Sequence, residues 1–255
     1  MLHATRHDDI VVWTIDRPEA KNALDHATLD ALTRAVREAS ADRALRAAVI
    51  TGGGDAFVSG GDLRELRDRS SEADAERLCD AGYGLTSAIA ELPFPVIAAI
   101  GGPAIGGGAE LAVACDLRVA DTRARVAFKQ VRMGVTTAWG TVPRLAALVG
   151  AGAAARLLYR AQEIGAAECK AIGLVDEVTE EGGARTTALA WAADVARGSP
   201  RAVAEMKRLL REALATASDV RALERRVFVD TWSSADHRDA VEAYFERRPP
   251  RWQPR

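Results

Sequence analysis

Residues 95–120 read PVIAAIGGPAIGGGAELAVACDLRVA, and this stretch decides the fold. The apolar run from Pro95 to Ile100 has the length and β-branched content of a buried strand. Gly106, Gly107 and Gly108 then open a short apolar helix that runs to about Cys115, after which Leu117–Ala120 returns as a strand. Strand, glycine turn, helix and strand in succession signify an α/β chain. The alternation extends upstream. Ile10–Ile15 is a strand broken by Asp16-Arg17-Pro18, and a helical pattern covers about Asn22 to Ala39. Ala47–Thr51 is a strand ending in Gly52-Gly53-Gly54-Asp55, and Ala56-Phe57-Val58 leads to a second break at Gly60-Gly61. A long helix from about Ala75 to Glu91 is stopped by Pro93 and Pro95. Downstream, Arg125–Phe128 and Leu174–Val178 read as strands. Beyond Trp191 the strand signal ends, and Ser199-Pro200 starts helical segments that continue to the C-terminus. The organisation predicted is an α/β core over 1–195 and a helical region over 196–255. The apolar positions of that region, such as Val203, Leu209 and Leu210, call for a partner surface.

A chain of 255 residues with 48% hydrophobic content can bury a substantial core without staples. Cys79, Cys115 and Cys169 stand alone, with no C-x-x-C spacing, and read as reduced, buried thiols. His3, His7, His26 and His237 fall near the ends or on polar helix surfaces, which points away from a metal site or a Ser-His-Asp triad. The six-residue apolar run near the N-terminus is too short for a signal peptide or a membrane span, so a cytoplasmic protein with no membrane partner is expected. A net charge of −2 gives no general attraction to nucleic acid, although of the 34 basic residues only Lys21, Lys129, Lys170 and Lys207 are lysines.

Two glycine turns carry the chemical signal: Ser59-Gly60-Gly61-Asp62-Leu63 and Ile105-Gly106-Gly107-Gly108-Ala109-Glu110-Leu111. Each follows a strand and precedes a helix, where backbone N–H groups lack helical partners and can meet a ligand oxygen. Together they have the makings of an oxyanion hole. Glu110 stands three residues after Gly107, on the same helix face and beside that amide. The alternative is that a glutamate in a first helical turn only complements the helix dipole or closes a capping box. The spacing excludes a dinucleotide fingerprint and a phosphate loop, and Ser59 lacks the glycine that precedes a nucleophile elbow.

In order along the chain, Arg17-Pro18 with Asn22-Ala23-Leu24, Ala56 to Leu63, Gly106 to Ala112 running on to Cys115-Asp116, and Ile172 to Asp176 resemble the crotonase (enoyl-CoA hydratase/isomerase) superfamily. The resemblance implies an α/β spiral of ββα units with a C-terminal helical trimerisation segment, a homotrimer or dimer of trimers, and an acyl-CoA substrate. Coenzyme A is then part of the substrate, and no separate cofactor is implied. It further implies that Gly61 and Gly107 donate to the thioester oxygen, that Glu110 is the acid/base residue, and that Lys21, Ala23, Ser59, Asp62 and Leu63 line the coenzyme A pocket. Hydratases of the family carry a second glutamate in a Phe-x-x-Pro-Glu-Val-x-x-Gly segment, where this chain has the shorter Phe128 to Gly134 without Pro or Glu. Counting back from Gly134 puts Gln130 at the glutamate's place, and counting on from Phe128 puts Arg132 there. Neither is a general base near neutral pH. Continued through Trp139-Gly140 and Arg144-Leu145, the segment is more similar to ethylmalonyl- and methylmalonyl-CoA decarboxylases. This implies an enolate formed by loss of carbon dioxide, with Arg132 either facing the pocket to hold the substrate carboxylate or lying at the surface, and Trp139 as a substrate wall or a core residue. A 2-enoyl-CoA hydratase and a Δ3–Δ2 enoyl-CoA isomerase are the other reactions implied, and an RNA-binding relative is the non-enzymatic alternative.

Overall fold

The computed structural model describes residues 1–67, 69, 71–214 and 218–251. Its strands are β1 (Leu2–His7), β2 (Ile10–Ile15), β3 (Ala47–Gly52), β4 (Val96–Ile100), β5 (Pro103–Ile105), β6 (Leu117–Asp121), β7 (Arg125–Ala127), β8 (Ile164–Gly165) and β9 (Glu177–Thr179). Its helices are α1 (His26–Ala41), α2 (Leu63–Leu66), α3 (Glu72–Glu91), α4 (Gly107–Ala114), α5 (Thr141–Arg160), α6 (Ala166–Ala171), α7 (Ala184–Ala196), α8 (Pro200–Leu214), α9 (Ser218–Trp232) and α10 (Ala235–Glu246).

Strands β1-β2-β3-β4-β6-β9 form one sheet, parallel except for the β1–β2 pair. Strands β5-β7-β8 form a second, shorter sheet. Successive turns of chain place one strand in each sheet before a helix, as in β4-β5-α4. This is the ββα spiral expected of the crotonase fold, and the helical segment follows it at the C-terminus. The two faces of the main sheet follow strand alternation. Val12, Val49, Ile97, Ala99 and Val119 pack under Ala184, Ala188 and Ala192 of α7. Trp13, Ile50, Ala98, Ile100 and Ala120 belong to the larger core shared with α1 and α3. Each fully buried Val, Leu or Ile there contributes about 1.5–3 kcal/mol relative to exposure.

Local chemistry sets the helix ends. Asp25 caps α1 by accepting from Thr28 N–H at 2.7 Å. Thr28, Leu29, Leu32, Val36 and Ala39 form its buried stripe. The helix starts at His26 rather than Asn22 because Asn22, fully buried with φ +59°, is already engaged. Its amide donates to Gly53 O and Ala56 O at 2.8 and 2.7 Å and accepts from Arg17 N–H at 2.8 Å. Ser71 and Asp74 close a capping box at the start of α3.

One strand lies outside the sequence reading, one apolar segment is a bridge rather than a strand, and one expected strand is shifted. β1 carries no apolar alternation because it is an edge strand exposed along nearly its whole length. The segment 56–58 makes only a single bridge, Val58 to Ala104. β9 begins at Glu177, since Leu174 and Val175 are buried in the turn before it.

The region over 196–255 does not stand away from the core. Phe228, Val229 and Trp232 of α9 join the main core cluster. His237 of α10 is buried rather than on a polar surface: it stacks on Trp232 at 4.4 Å between centroids, and its Nδ1 lies 2.6 Å from Met133 O. Lys207 of α8 is buried as well, donating to Ile89 O, Phe94 O and Asp116 Oδ2 at 2.9, 3.0 and 2.7 Å. The outer face of α8 leaves Met206, Leu209 and Leu210 exposed, whereas Val203 is half-buried.

Candidate active site

The two glycine turns lie side by side. Ile105 N–H donates to Val58 O at 2.9 Å, extending the Val58–Ala104 bridge to the start of both turns. A Cβ built on Gly60 would sit 3.6 Å from Gly107 N. Gly106 has φ +54° and ψ −117°, a conformation reserved to glycine, and it turns the chain from β5 into α4. Gly107 is the first residue of α4, so its N–H has no partner within the helix. Around Gly61 the chain pairs with Leu24 through Leu24 N–H to Gly60 O and Asp62 N–H to Leu24 O. That pairing uses the groups on either side and leaves the Gly61 N–H outside it.

Glu110 projects from the first turn of α4 and is 5% exposed. Its Oε1 accepts from Gln130 Nε2 at 2.7 Å. Its Oε2 accepts from Thr141 Oγ1, and from Ala138 N–H and Trp139 N–H at 3.3 and 3.2 Å. A glutamate serving only to complement the helix dipole would sit at the surface, as Glu72 does in α3. Burial, with the negative charge of Glu224 adding to it, raises the Glu110 pKa to about 7, against the lowering effect of the bonds from Thr141, Trp139 and Gln130. A carboxyl with its pKa near neutral can both take and return a proton at physiological pH.

The other residues singled out from the sequence separate into two groups. Lys21 lies in a left-handed conformation at φ +50°, next to Ala23, which is 7% exposed. Ser59 N–H donates to Lys21 O at 3.2 Å and Ser59 Oγ to Ala20 O at 3.1 Å, so segments 20–24 and 59–62 run together as a ledge beside Gly61. Asp62 caps α2 and pairs with Arg17 at 3.0 Å, and Leu63 is half-buried at the start of that helix. Gln130 stands against Glu110. Arg132 does not join the site: it is exposed and donates to Arg160 O at 3.3 Å. Trp139 is no open wall either. Its ring is 4% exposed and fills a slot in which Cβ atoms on Gly82 and Gly107 would lie 1.9 and 2.8 Å from it. The ring forms a floor under the Gly107 turn, while the backbone N–H of Trp139 serves Glu110.

The sequence reading missed Thr137, Thr141 and Glu224, and named Arg144 only as part of the resemblance. Thr137 and Thr141 belong to a threonine-rich stretch, Thr136 to Thr141, whose polarity just before an apolar helix was the available signal. Glu224 sits in a helix among arginines and reads as a solvated residue, yet it is 7% exposed. Among the described residues no group of three or more His, Cys, Asp or Glu side chains could hold a metal ion. The three cysteines are free and buried, and burial pushes each thiol up to about 12.

The sequence model of the family described as enoyl-CoA hydratase/isomerase matches residues 5–255. The short-chain-enoyl-CoA hydratase of Clostridium acetobutylicum is 34% identical over 241 residues, covering 94% of this chain and 92% of that protein. The 2,3-dehydroadipyl-CoA hydratase of Escherichia coli is 31% identical over 250 residues, covering 98% of this chain and 97% of its own length. The crystal structure of an enoyl-CoA hydratase/isomerase from Pseudoalteromonas atlantica superposes with a TM-score of 0.89 at 28% identity, over 99% of both chains. Agreement in sequence over nearly the whole chain, and in fold from the first strand to the last helices, establishes that the chain belongs to the enoyl-CoA hydratase/isomerase family.

Proposed function

We propose that this chain hydrates a 2-enoyl-CoA thioester with Glu110 as its single acid/base residue. The observation that carries the reading is a buried carboxyl, with its pKa raised to about 7, one helical turn from the free Gly107 N–H. The thioester oxygen lies between the N–H groups of Gly61 and Gly107, which stabilise the enolate as it forms. Loss of one such donor typically costs about 10²–10³ in rate. Ionised Glu110 takes a proton from water as the water oxygen bonds to the β-carbon. The enolate then collapses and the same carboxyl returns the proton to the α-carbon, so hydroxyl and hydrogen add from one face. Lys21, Ala23, Ser59 and Leu63 line the coenzyme A pocket on the ledge beside Gly61, with Asp62 holding that ledge through Arg17. No separate cofactor is required. The exposed Met206, Leu209 and Leu210 of α8 form the contact of a homotrimer or dimer of trimers.

The relatives named above are hydratases, and hydration therefore takes precedence over the decarboxylation suggested by the Phe128–Gly140 segment. The surface position of Arg132 removes the cation that was to hold a substrate carboxylate. One specific observation keeps Δ3–Δ2 isomerisation as a second reading: an amide, Gln130, stands beside Glu110 where a second carboxylate is implied, and moving one proton along an acyl chain needs only one base. Incubation with crotonyl-CoA, a 3-enoyl-CoA and a substituted malonyl-CoA, read by mass and chromatography, separates the three. Gain of water on crotonyl-CoA, abolished by Glu110→Gln, is expected. Inert crotonyl-CoA with rearrangement of the 3-enoyl-CoA supports the isomerase, and carbon dioxide release refutes both.

A further inference from the structure

Between Thr137 and Val142 the chain enters α5, and the donors of this short turn divide into two sets. Ala138 N–H, Trp139 N–H and Thr141 Oγ1 meet Glu110. Thr137 Oγ1, Gly140 N–H and Val142 N–H meet Glu224 of α9, at 2.8, 2.8 and 3.4 Å. Two buried carboxylates, from α4 and α9, thus hold one turn from opposite sides. An amide carbonyl would offer the outer three donors one acceptor oxygen instead of two and weaker bonds. A carboxylate also adds a second negative charge facing Glu110 across a single layer of backbone.

We propose that Glu224 is a positioning residue for Glu110: it grips the outer donors of the 137–142 turn so that the inner donors converge on Glu110, and it sets the electrostatic surroundings in which Glu110 exchanges its proton. The inference rests on Glu110 being the proton-transferring group. Among the described residues, a small set of charged and titratable groups surrounds Glu224. Arg144 of α5 is half-buried, donates to Trp139 O at 2.7 Å and favours the ionised carboxylate, with Tyr83 of α3 interacting with it. Glu110 faces it from α4. Cys79 of α3 is held neutral by burial, its pKa pushed up to about 12. Arg225, on the same helix, is directed to Asp80 and Glu76. Burial raises both carboxyls, and the charge of Glu224 further opposes ionisation of Glu110.

The test is a carboxyl-carbon NMR titration of the full chain with isotope-labelled glutamates, in which the Glu110 resonance is the one missing from Glu110→Gln. Glu224→Gln removes the charge, so the Glu110 midpoint should fall by about one pH unit. Glu224→Asp, which keeps the charge, should recover most of that shift, and the pH profile of kcat/KM should move with the midpoint. An unmoved midpoint in folded Glu224→Gln overturns the proposal, and if activity is lost at the same time Glu224 only props the turn. Should Glu224→Gln fail to fold, Thr137→Val removes one bond that favours ionised Glu224 while keeping the side-chain shape. It should lower the midpoint by a smaller amount, and no shift there also overturns the proposal. Activity surviving Glu110→Gln would instead refute the acid/base reading and leave the NMR result standing.

Discussion

Replacing Glu110 by glutamine should flatten the pH dependence of folding by an amount that the site fixes. In the folded chain burial, with the charge of Glu224, raises the Glu110 pKa from 4.5 to about 7. In the unfolded chain the group returns to its ordinary value. The folded state therefore binds this proton more tightly than the unfolded state. The stabilisation is fully present below about pH 4.5, decays as pH rises through about 7, and is gone above it. At about 1.4 kcal/mol per unit, that shift amounts to about 3 kcal/mol. Glutamine does not titrate, and it lacks an acceptor for some of the four donors around Glu110, a penalty that is the same at every pH. Variant stability minus wild-type stability should then climb by about 3 kcal/mol from about pH 4.5 to about pH 8, whatever its offset. Urea unfolding across this range, with equal slopes required of both proteins, measures the difference. A flat difference refutes a burial-raised Glu110, and a fall refutes the sign of the argument.

Three further expectations follow from packing. Gly82→Ala would set a Cβ 1.9 Å from Trp139 Nε1 within a buried slot, so it should cost about 1–3 kcal/mol or more and slow turnover, because Trp139 N–H serves Glu110; Trp139→Phe in the same chain should recover part of both, and unchanged stability would refute the slot. Lys207→Met strands two carbonyls and leaves Asp116 with only its bond from Val96 N–H, a cost of about 3–5 kcal/mol by denaturation, and a loss under about 1 kcal/mol would show that Lys207 does not fasten α8. Sedimentation should find a trimer or hexamer that Leu209→Glu with Leu210→Glu disrupts, whereas a wild-type monomer at micromolar concentration would defeat the assignment of that face.

The sequence by itself determined the α/β alternation, because β2, β3 and β4 are central strands whose apolar runs must be buried on both faces. It also determined the two glycine turns and the presence of Glu110 one helical turn beyond Gly107, since these depend only on neighbours within a few residues. Edge strand β1 was not legible, as an exposed strand needs no apolar pattern. The choice between Gln130 and Arg132 was open in the sequence because the segment is shortened there. It was decided by the short 3-10 helix over Gln130–Met133, whose tight winding sends residues two apart in different directions, Gln130 to Glu110 and Arg132 to the surface. Glu224 was beyond reach for a different reason. A glutamate among arginines on a helix looks solvated, and only the folding of α9 onto α3 brings it, 84 residues along the chain, to Gly140 N–H. Local pattern thus wrote the scaffold and its first carboxylate, whereas the environment that tunes that carboxylate is assembled from α4, α5 and α9 by tertiary packing, because burial and charge repulsion exist only once distant segments meet.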